Sequence, residues 1–176
     1  MRSAAGSMRR SPPWFELTGR RITFPRRRSS PTSGLPEALV ADANVLLSAT
    51  IGGRAGVALV HPEVPRVYAA KAVADEILEH LPSIARKRGL DLALMMASLA
   101  SMPVSWANED LYGEAEAEAR KRLAAPDLDD WPSAALALVM GKTRSVAVWT
   151  QDRDFEVSGL STITTGELLD FLEGRS

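Results

Sequence analysis

Cysteine is absent from this 176-residue sequence, and only two histidines, His61 and His80, are present. The lack of cysteine excludes disulfides, thiolate zinc sites and a cysteine nucleophile. With so few histidines, any bound metal must be held mainly by oxygen ligands. Oxygen ligands favour hard cations such as Mg²⁺ or Mn²⁺.

Long apolar runs are also missing, because no stretch reaches the roughly 18–20 apolar residues that a membrane span needs. The first residues lack the apolar middle segment of a secretory signal. We therefore expect a cytoplasmic protein that does not cross a membrane. Hydrophobic residues make up 45% of the chain and charged residues 24%. These values are typical of a soluble globular protein, and the length suits one domain.

The net charge of −1 is unevenly distributed. Residues 1–34 contain eight arginines and one acid, Glu16, for a net charge of +7, whereas the rest of the chain has 13 basic and 21 acidic residues, for a net charge of −8. The Arg-, Ser-, Pro- and Gly-rich segment 1–34 predicts a mostly disordered arm, followed by one domain over 35–176. A basic arm on an acidic body suits a polyanion or an acidic partner surface, although a solvated tail would have the same composition.

Short apolar runs alternate with amphipathic segments beyond the arm. The runs predict buried strands at Ala38–Ala41, Arg66–Ala70, Met102–Trp106, Ser145–Thr150 and Ser161–Thr164. Helices are predicted at Asn44–Ala49, Ala55–Val60, Ala72–Leu81, Leu90–Leu99, Asp110–Leu123 and Trp131–Met140, with a last helix capped by Thr165 and ending at Leu172. This alternation predicts an α/β fold with a central parallel sheet flanked by helices.

Acidic residues accompany four of these elements. They are Asp42 after the first strand, Glu76 on a helix, Asp129 and Asp130 before the Trp131 helix, and Asp152 with Asp154 after the fourth strand. Ligands of parallel sheets bind at the carboxyl ends of the strands, where Asp42 and Asp152 lie. Ordinary alternatives exist, since Asp130 could cap its helix and Glu76 could be a surface charge.

Carboxylates that converge on one place repel each other, and some take up protons unless a cation is present. A divalent metal removes that cost. Hydrolysis of a phosphodiester needs an activated water and stabilisation of the developing charge, and carboxylate-bound Mg²⁺ or Mn²⁺ provides both. The acids therefore suggest a metal-dependent hydrolase of phosphodiesters.

Four sequence pieces occur in an order that resembles the PIN domain family, including toxins of the VapC type. They are LVADANVLLSA from Leu39, VADEIL from Val73, DLDDWP from Asp127 and VWTQDRDF from Val148. The resemblance extends from about Leu35 to the end of the chain. It implies a PIN-like fold of three layers, and an endoribonuclease that cuts RNA with Mg²⁺ or Mn²⁺.

The resemblance also implies roles for individual residues. The metal-site and catalytic acids would be Asp42, Glu76, Asp130 and Asp152; Asn44 and Thr150 would orient them, and Asp154 would be a fifth acid. Asp129 competes with Asp130, which directly precedes the helix as the third acid of the family does. The spacing between Glu76 and Asp130 fits versions with extra helices rather than the shortest toxins.

The same resemblance implies a partner protein. The protein could be the toxin of a toxin–antitoxin pair, with an antitoxin protein as partner. The apolar segment Leu92–Leu99 predicts a homodimer.

A PIN-like module that binds RNA or protein without cutting it is the main alternative function. A haloacid-dehalogenase phosphatase would need an acid at Asn44, and a response-regulator receiver would need a lysine within Ser161–Thr165.

Overall fold

A computed structural model of the chain describes residues 34–123, 130–153, 155 and 158–174. The predicted basic arm, apart from Gly34, lies outside the described residues, as do Asp129 and Asp154. Within the described ranges, none of the helices is both long and apolar enough to cross a membrane.

The described chain alternates strands and helices. The strands are β1 (Ala38–Ala41), β2 (Arg66–Ala70), β3 (Val104–Ala107), β4 (Val146–Trp149) and β5 (Thr162–Ile163). The α-helices are α1 (Ala43–Thr50), α2 (Arg54–Leu59), α3 (Lys71–Arg88), α4 (Leu92–Ser101), α5 (Glu116–Leu123), α6 (Trp131–Gly141) and α7 (Thr165–Leu172). Short 3₁₀ turns at Glu109–Leu111 and Gly113–Ala115 precede α5.

The strands form one parallel sheet in the order β3-β2-β1-β4-β5, which confirms the predicted α/β fold. The chain first builds outward from β1 to β3 and then returns to the other side of β1 to add β4. Right-handed crossovers in opposite directions place the connecting helices on opposite faces of the sheet. Accordingly α6 packs against β1, β2 and β4, whereas α1 packs against α2, α3 and α4.

The central strand β1 explains why its sequence is apolar without alternation. All four residues from Ala38 to Ala41 are completely buried, because helices cover both faces and strands lie on both sides. The adjacent strand β4 ends in Trp149, which is also completely buried. The ends of β1 and β4 are therefore fixed by the core.

Helix α3 is longer than the predicted segment Ala72–Leu81, since it continues through Pro82 to Arg88. Pro82 lies on the exposed side, where water can satisfy the carbonyl group left without a backbone donor. Leu81 and Ala85 are buried and continue the apolar stripe of the helix. Packing of this stripe outweighs the cost of the proline.

The prediction that Thr165 caps the last helix is wrong, because Thr164 holds that position. The Oγ1 of Thr164 accepts a hydrogen bond from the backbone N of Glu167 at 3.2 Å, and Glu167 Oε2 accepts one from the backbone N of Thr164 at 2.8 Å. Thr165 instead accepts a hydrogen bond from Trp149 Nε1 at 3.0 Å. The predicted helix Asp110–Leu123 is also shorter than expected, since its first part forms the 3₁₀ turns.

Candidate active site

Asp42 lies at the carboxyl end of β1 and is only 1% exposed. Its backbone N donates to the carbonyl O of Trp149 at 3.1 Å, so it still belongs to the edge of the sheet. Asp42 also occupies the N-cap position of α1, yet its side chain makes no capping hydrogen bond. The carboxylate is instead directed to Thr150, whose Oγ1 donates to Asp42 Oδ2 at 3.1 Å.

Thr150 links the ends of the two central strands. It is 2% exposed and follows β4 directly. Besides donating to Asp42, its Oγ1 accepts a hydrogen bond from the backbone N of Asp152 at 2.9 Å. A hydroxyl group can donate and accept at once, so this one atom fixes both acidic positions. Asp152 itself is half-buried.

Asp130 directly precedes α6 and is half-buried. Its side chain makes no capping hydrogen bond to α6, so helix capping does not explain the acid at this position. The next residue, Trp131, is held from two sides. The guanidinium carbon of Arg120 lies 5.2 Å from the Trp131 ring centroid, and the Tyr112 ring lies 5.7 Å away at a tilt of 55°.

Tyr112 connects this end of α6 with the start of α3. Its side chain is 1% exposed, and burial, followed by the charges of Glu109 and Asp75, raises its pKa to about 12. Tyr112 therefore stays a neutral phenol at physiological pH. Partial burial raises the pKa of Asp75 above its usual value, against the lowering effect of Lys71. Asp75 neighbours Glu76, the predicted metal ligand.

Glu76 and Asn44 are exposed and share one groove. This groove, the α1–α3 groove, has a volume of about 380 Å³ and is lined by Ala43, Asn44, Leu47, Glu76, Ile77, His80, Ser83, Ile84 and Lys87. It begins beside Asp42, since Ala43 and Asn44 are the next two residues. Glu76 thus faces a space that adjoins the end of β1.

The predicted acids are positioned in three groups. Asp42 and Asp152 are joined through Thr150, Glu76 lies in the α1–α3 groove, and Asp130 begins α6. Among residues 34–123, 130–153, 155 and 158–174, no three His, Asp or Glu side chains lie close enough together to hold a metal. The assignment of these four acids as metal ligands, and of Asn44 as an orienting residue, therefore stays a prediction.

Several residues near these acids have no role in the sequence interpretation. Ser83 and Lys87 line the groove together with His80, and Arg120 packs on Trp131. The spacing of Glu76, His80, Ser83 and Lys87 by four, three and four residues is a sequence signal for one face of a helix. The predicted helix Ala72–Leu81 excludes Ser83 and Lys87, so it does not reveal this face.

The family model of the PIN domain matches residues 40–173. The chain therefore belongs to the PIN domain family, as its sequence predicts. Its fold is similar to that of a chain in the crystal structure of VapBC2 from Rickettsia felis bound to a DNA fragment from their promoter. The TM-score is 0.51 at 12% identity, over 72% of this chain and 98% of the other. A comparison with curated proteins finds no match.

Proposed function

We propose that this chain is an endoribonuclease that hydrolyses RNA phosphodiester bonds with Mg²⁺ or Mn²⁺. The observation that carries the proposal is the buried carboxylate of Asp42, held by Thr150 at the carboxyl ends of β1 and β4. Ligands of such sheets bind where the strand order reverses, which here is between these two strands. PIN domains are generally nucleases, which supports the same conclusion.

The side chains available at this place suit a hard divalent cation. Asp42, Glu76, Asp130 and Asp152 offer carboxylate oxygens, the ligands that Mg²⁺ and Mn²⁺ prefer. A buried carboxylate is costly unless it is paired with a positive charge or well hydrogen-bonded, and a cation would offset that cost at Asp42. Carboxylates that share a site repel each other without a cation, and a bound Mg²⁺ or Mn²⁺ would offset that repulsion.

The bound metal would activate a water molecule and stabilise charge on the phosphate. The protein residues have distinct tasks around it. Thr150 holds the Asp42 carboxylate in one orientation and fixes the backbone of Asp152. Arg120 and Tyr112 hold Trp131, and thereby the start of α6 where Asp130 lies. Such supporting contacts set the direction of ligand lone pairs.

Cleavage of single-stranded RNA by the purified full-length chain tests this function. We expect no cleavage in EDTA and recovery with Mn²⁺ or Mg²⁺. Asp42→Asn and Asp152→Asn should abolish cleavage, whereas Glu63→Gln, which removes an exposed acid elsewhere, should leave it unchanged. Full activity in EDTA, or wild-type rates in both Asp variants, would contradict the proposal. Metal-independent RNA binding without cleavage would identify a binding module instead.

Metal binding has a second readout that does not depend on activity. A ligand that binds the folded state raises its free energy of unfolding in proportion to the logarithm of ligand concentration. Mn²⁺ should therefore raise the melting temperature of the wild type, and less so that of Asp42→Asn. An equal rise in both would place the metal away from Asp42.

For the cellular role we propose the toxin of a toxin–antitoxin pair, with an antitoxin protein as partner and a homodimer as the assembly. The similarity to a chain of VapBC2 supports this role. Expression of the chain alone should then arrest growth, and Asp42→Asn should relieve the arrest. Co-expression of a small protein encoded next to it should also relieve it. Unimpaired growth with active enzyme would favour a role in RNA processing.

A further inference from the structure

One face of α3 carries a row of polar side chains that starts at the candidate active site. Glu76, His80, Ser83 and Lys87 follow each other at intervals of four, three and four residues and all line the α1–α3 groove. We call His80, Ser83 and Lys87 the α3 strip. The apolar residues Leu47, Ile77 and Ile84 line the same groove.

The strip leads away from the proposed metal site over a considerable length. Lys87 follows Glu76 by eleven positions, which corresponds to about 16 Å along the helix axis. Asn44 lines the groove near its other boundary, two residues after Asp42. A strand bound at the metal site could therefore continue along the groove for more than one nucleotide.

The far end of the strip is positively charged. Arg86, Lys87 and Arg88 form the last turn of α3, where cations interact favourably with the helix dipole. The helix dipole favours all three cations alike, but only Lys87 among them lines the groove. Within the described part of the chain, Lys87 takes part in no ion pair. Its charge is available to a ligand in the groove.

The charge of the domain makes this placement informative. Residues 35–176 carry a net charge of −8, so most of the domain surface repels a nucleic acid. A groove that ends at a lysine and runs from the candidate active site offers local complementarity to a phosphate backbone. Proteins that bind single strands commonly place cationic side chains along the groove that follows the phosphate backbone.

We propose that the α3 strip binds the phosphate backbone of a single RNA strand on one side of the bond that is cut. Lys87 binds a phosphate more than one nucleotide from the scissile one. His80 and Ser83 donate hydrogen bonds to the RNA backbone between these two phosphates. The proposal rests on the proposed nuclease function for the position of the cut. It adds residues that select for longer substrates.

A pair of matched variants of the full-length chain tests the binding. Lys87→Gln and Arg86→Gln each remove one positive charge from the last turn of α3, so both change the net charge and the helix-end charge equally. RNA affinity is measured in EDTA, without cleavage, over a range of salt. Lys87→Gln should weaken binding several-fold at low salt and lower the slope of log affinity against log salt by about 0.7. Arg86→Gln should resemble the wild type.

Cleavage supplies the second measurement. The wild type should cut a long single strand with a higher kcat/KM than a trinucleotide, and Lys87→Gln should remove most of that advantage. If the two variants have equal RNA affinity, salt slope and length dependence, the α3 strip does not bind the RNA backbone. The same result is expected if a protein segment, and not RNA, occupies the groove. If the wild type cuts no RNA at all, the nuclease proposal fails, and the binding comparison still decides on the strip.

Discussion

Thr150 Oγ1 donates a hydrogen bond to Asp42 Oδ2 at 3.1 Å, although the two residues are 108 positions apart in the chain. The same oxygen accepts the backbone N–H of Asp152 at 2.9 Å. Both bonds lie at the carboxyl ends of β1 and β4, where the strand order reverses. One buried hydroxyl group therefore organises two of the four proposed metal ligands.

Thr150→Val removes this hydroxyl while keeping the shape of the side chain. We expect kcat to fall by about 10- to 100-fold, the effect typical of lost contacts to metal ligands. Metal affinity should fall as well, because the Asp42 carboxylate loses its fixed orientation. The measurements are single-turnover RNA cleavage and a Mn²⁺ titration of activity.

Thr150→Ser is the matched control, since it retains the hydroxyl and loses only a methyl group. Its activity should stay close to that of the wild type. A purely structural role of Thr150 would lower the melting temperature of the Val variant without changing its Mn²⁺ dependence. Wild-type cleavage by Thr150→Val would contradict the role assigned to this bond.

The position of Asp42 and Thr150 at one edge could be predicted from the sequence. Apolar runs without alternation identify β1 and β4 as buried parallel strands, and parallel strands end at a common edge of the sheet. The resemblance to PIN domains adds that Thr150 orients the acids. The hydrogen bond from Thr150 to Asp42 follows from this topology, because both residues come directly after neighbouring strands. The pattern of apolar runs is therefore enough to predict this part of the site.

How close Glu76 and Asp130 lie to Asp42 could not be predicted in the same way. Their distance from Asp42 depends on how α3 and α6 tilt against the sheet and on the rotamers of mutually repelling side chains. The extension of α3 beyond Pro82 also depends on tertiary packing, since Leu81 and Ala85 are buried. A helix that is predicted to end at Leu81 does not place Lys87 on the same face as Glu76, so its position in the groove could not be predicted.

Glu167 gives a stability prediction that depends on pH. Hydrogen bonds from the backbone N and the side chain of Thr164 hold the pKa of Glu167 below its usual value of 4.5. A lowered folded-state pKa means that this stabilisation is present above the unfolded pKa and is lost as pH falls through the folded one. Glu167→Gln should therefore be destabilising at pH 7, with a smaller difference in strong acid. An unchanged difference between wild type and variant across this range would contradict a stabilising role of the ionised Glu167 carboxylate.

Leu94 gives a prediction about assembly. Helix α4 contains no charged residue, and Leu94 is 67% exposed on it. An apolar surface of this kind favours association, and the proposed homodimer would bury it. Leu94→Glu should yield a monomer in sedimentation velocity at micromolar concentration, whereas Val60→Glu, at another exposed apolar residue, should stay a dimer. A monomeric wild type would refute the dimer.

Asp129 and Asp130 compete for the third acidic position. Asp130 is half-buried and directly precedes α6, as the third acid of the family does, which favours it as the ligand. Asp130→Asn should therefore reduce kcat more strongly than Asp129→Asn, with similar melting temperatures for both. The opposite order would assign the ligand to Asp129.

The basic arm gives the last prediction, which follows from charge alone. Residues 1–34 carry a net charge of +7, whereas the remainder carries −8 and would repel RNA over much of its surface. If the arm binds RNA, each phosphate contact releases counterions and steepens the dependence of affinity on salt. Deletion of residues 1–34 should then weaken RNA binding at low salt and flatten this dependence, with the metal requirement of cleavage unchanged. Identical affinity and slope after deletion would exclude the arm from substrate binding.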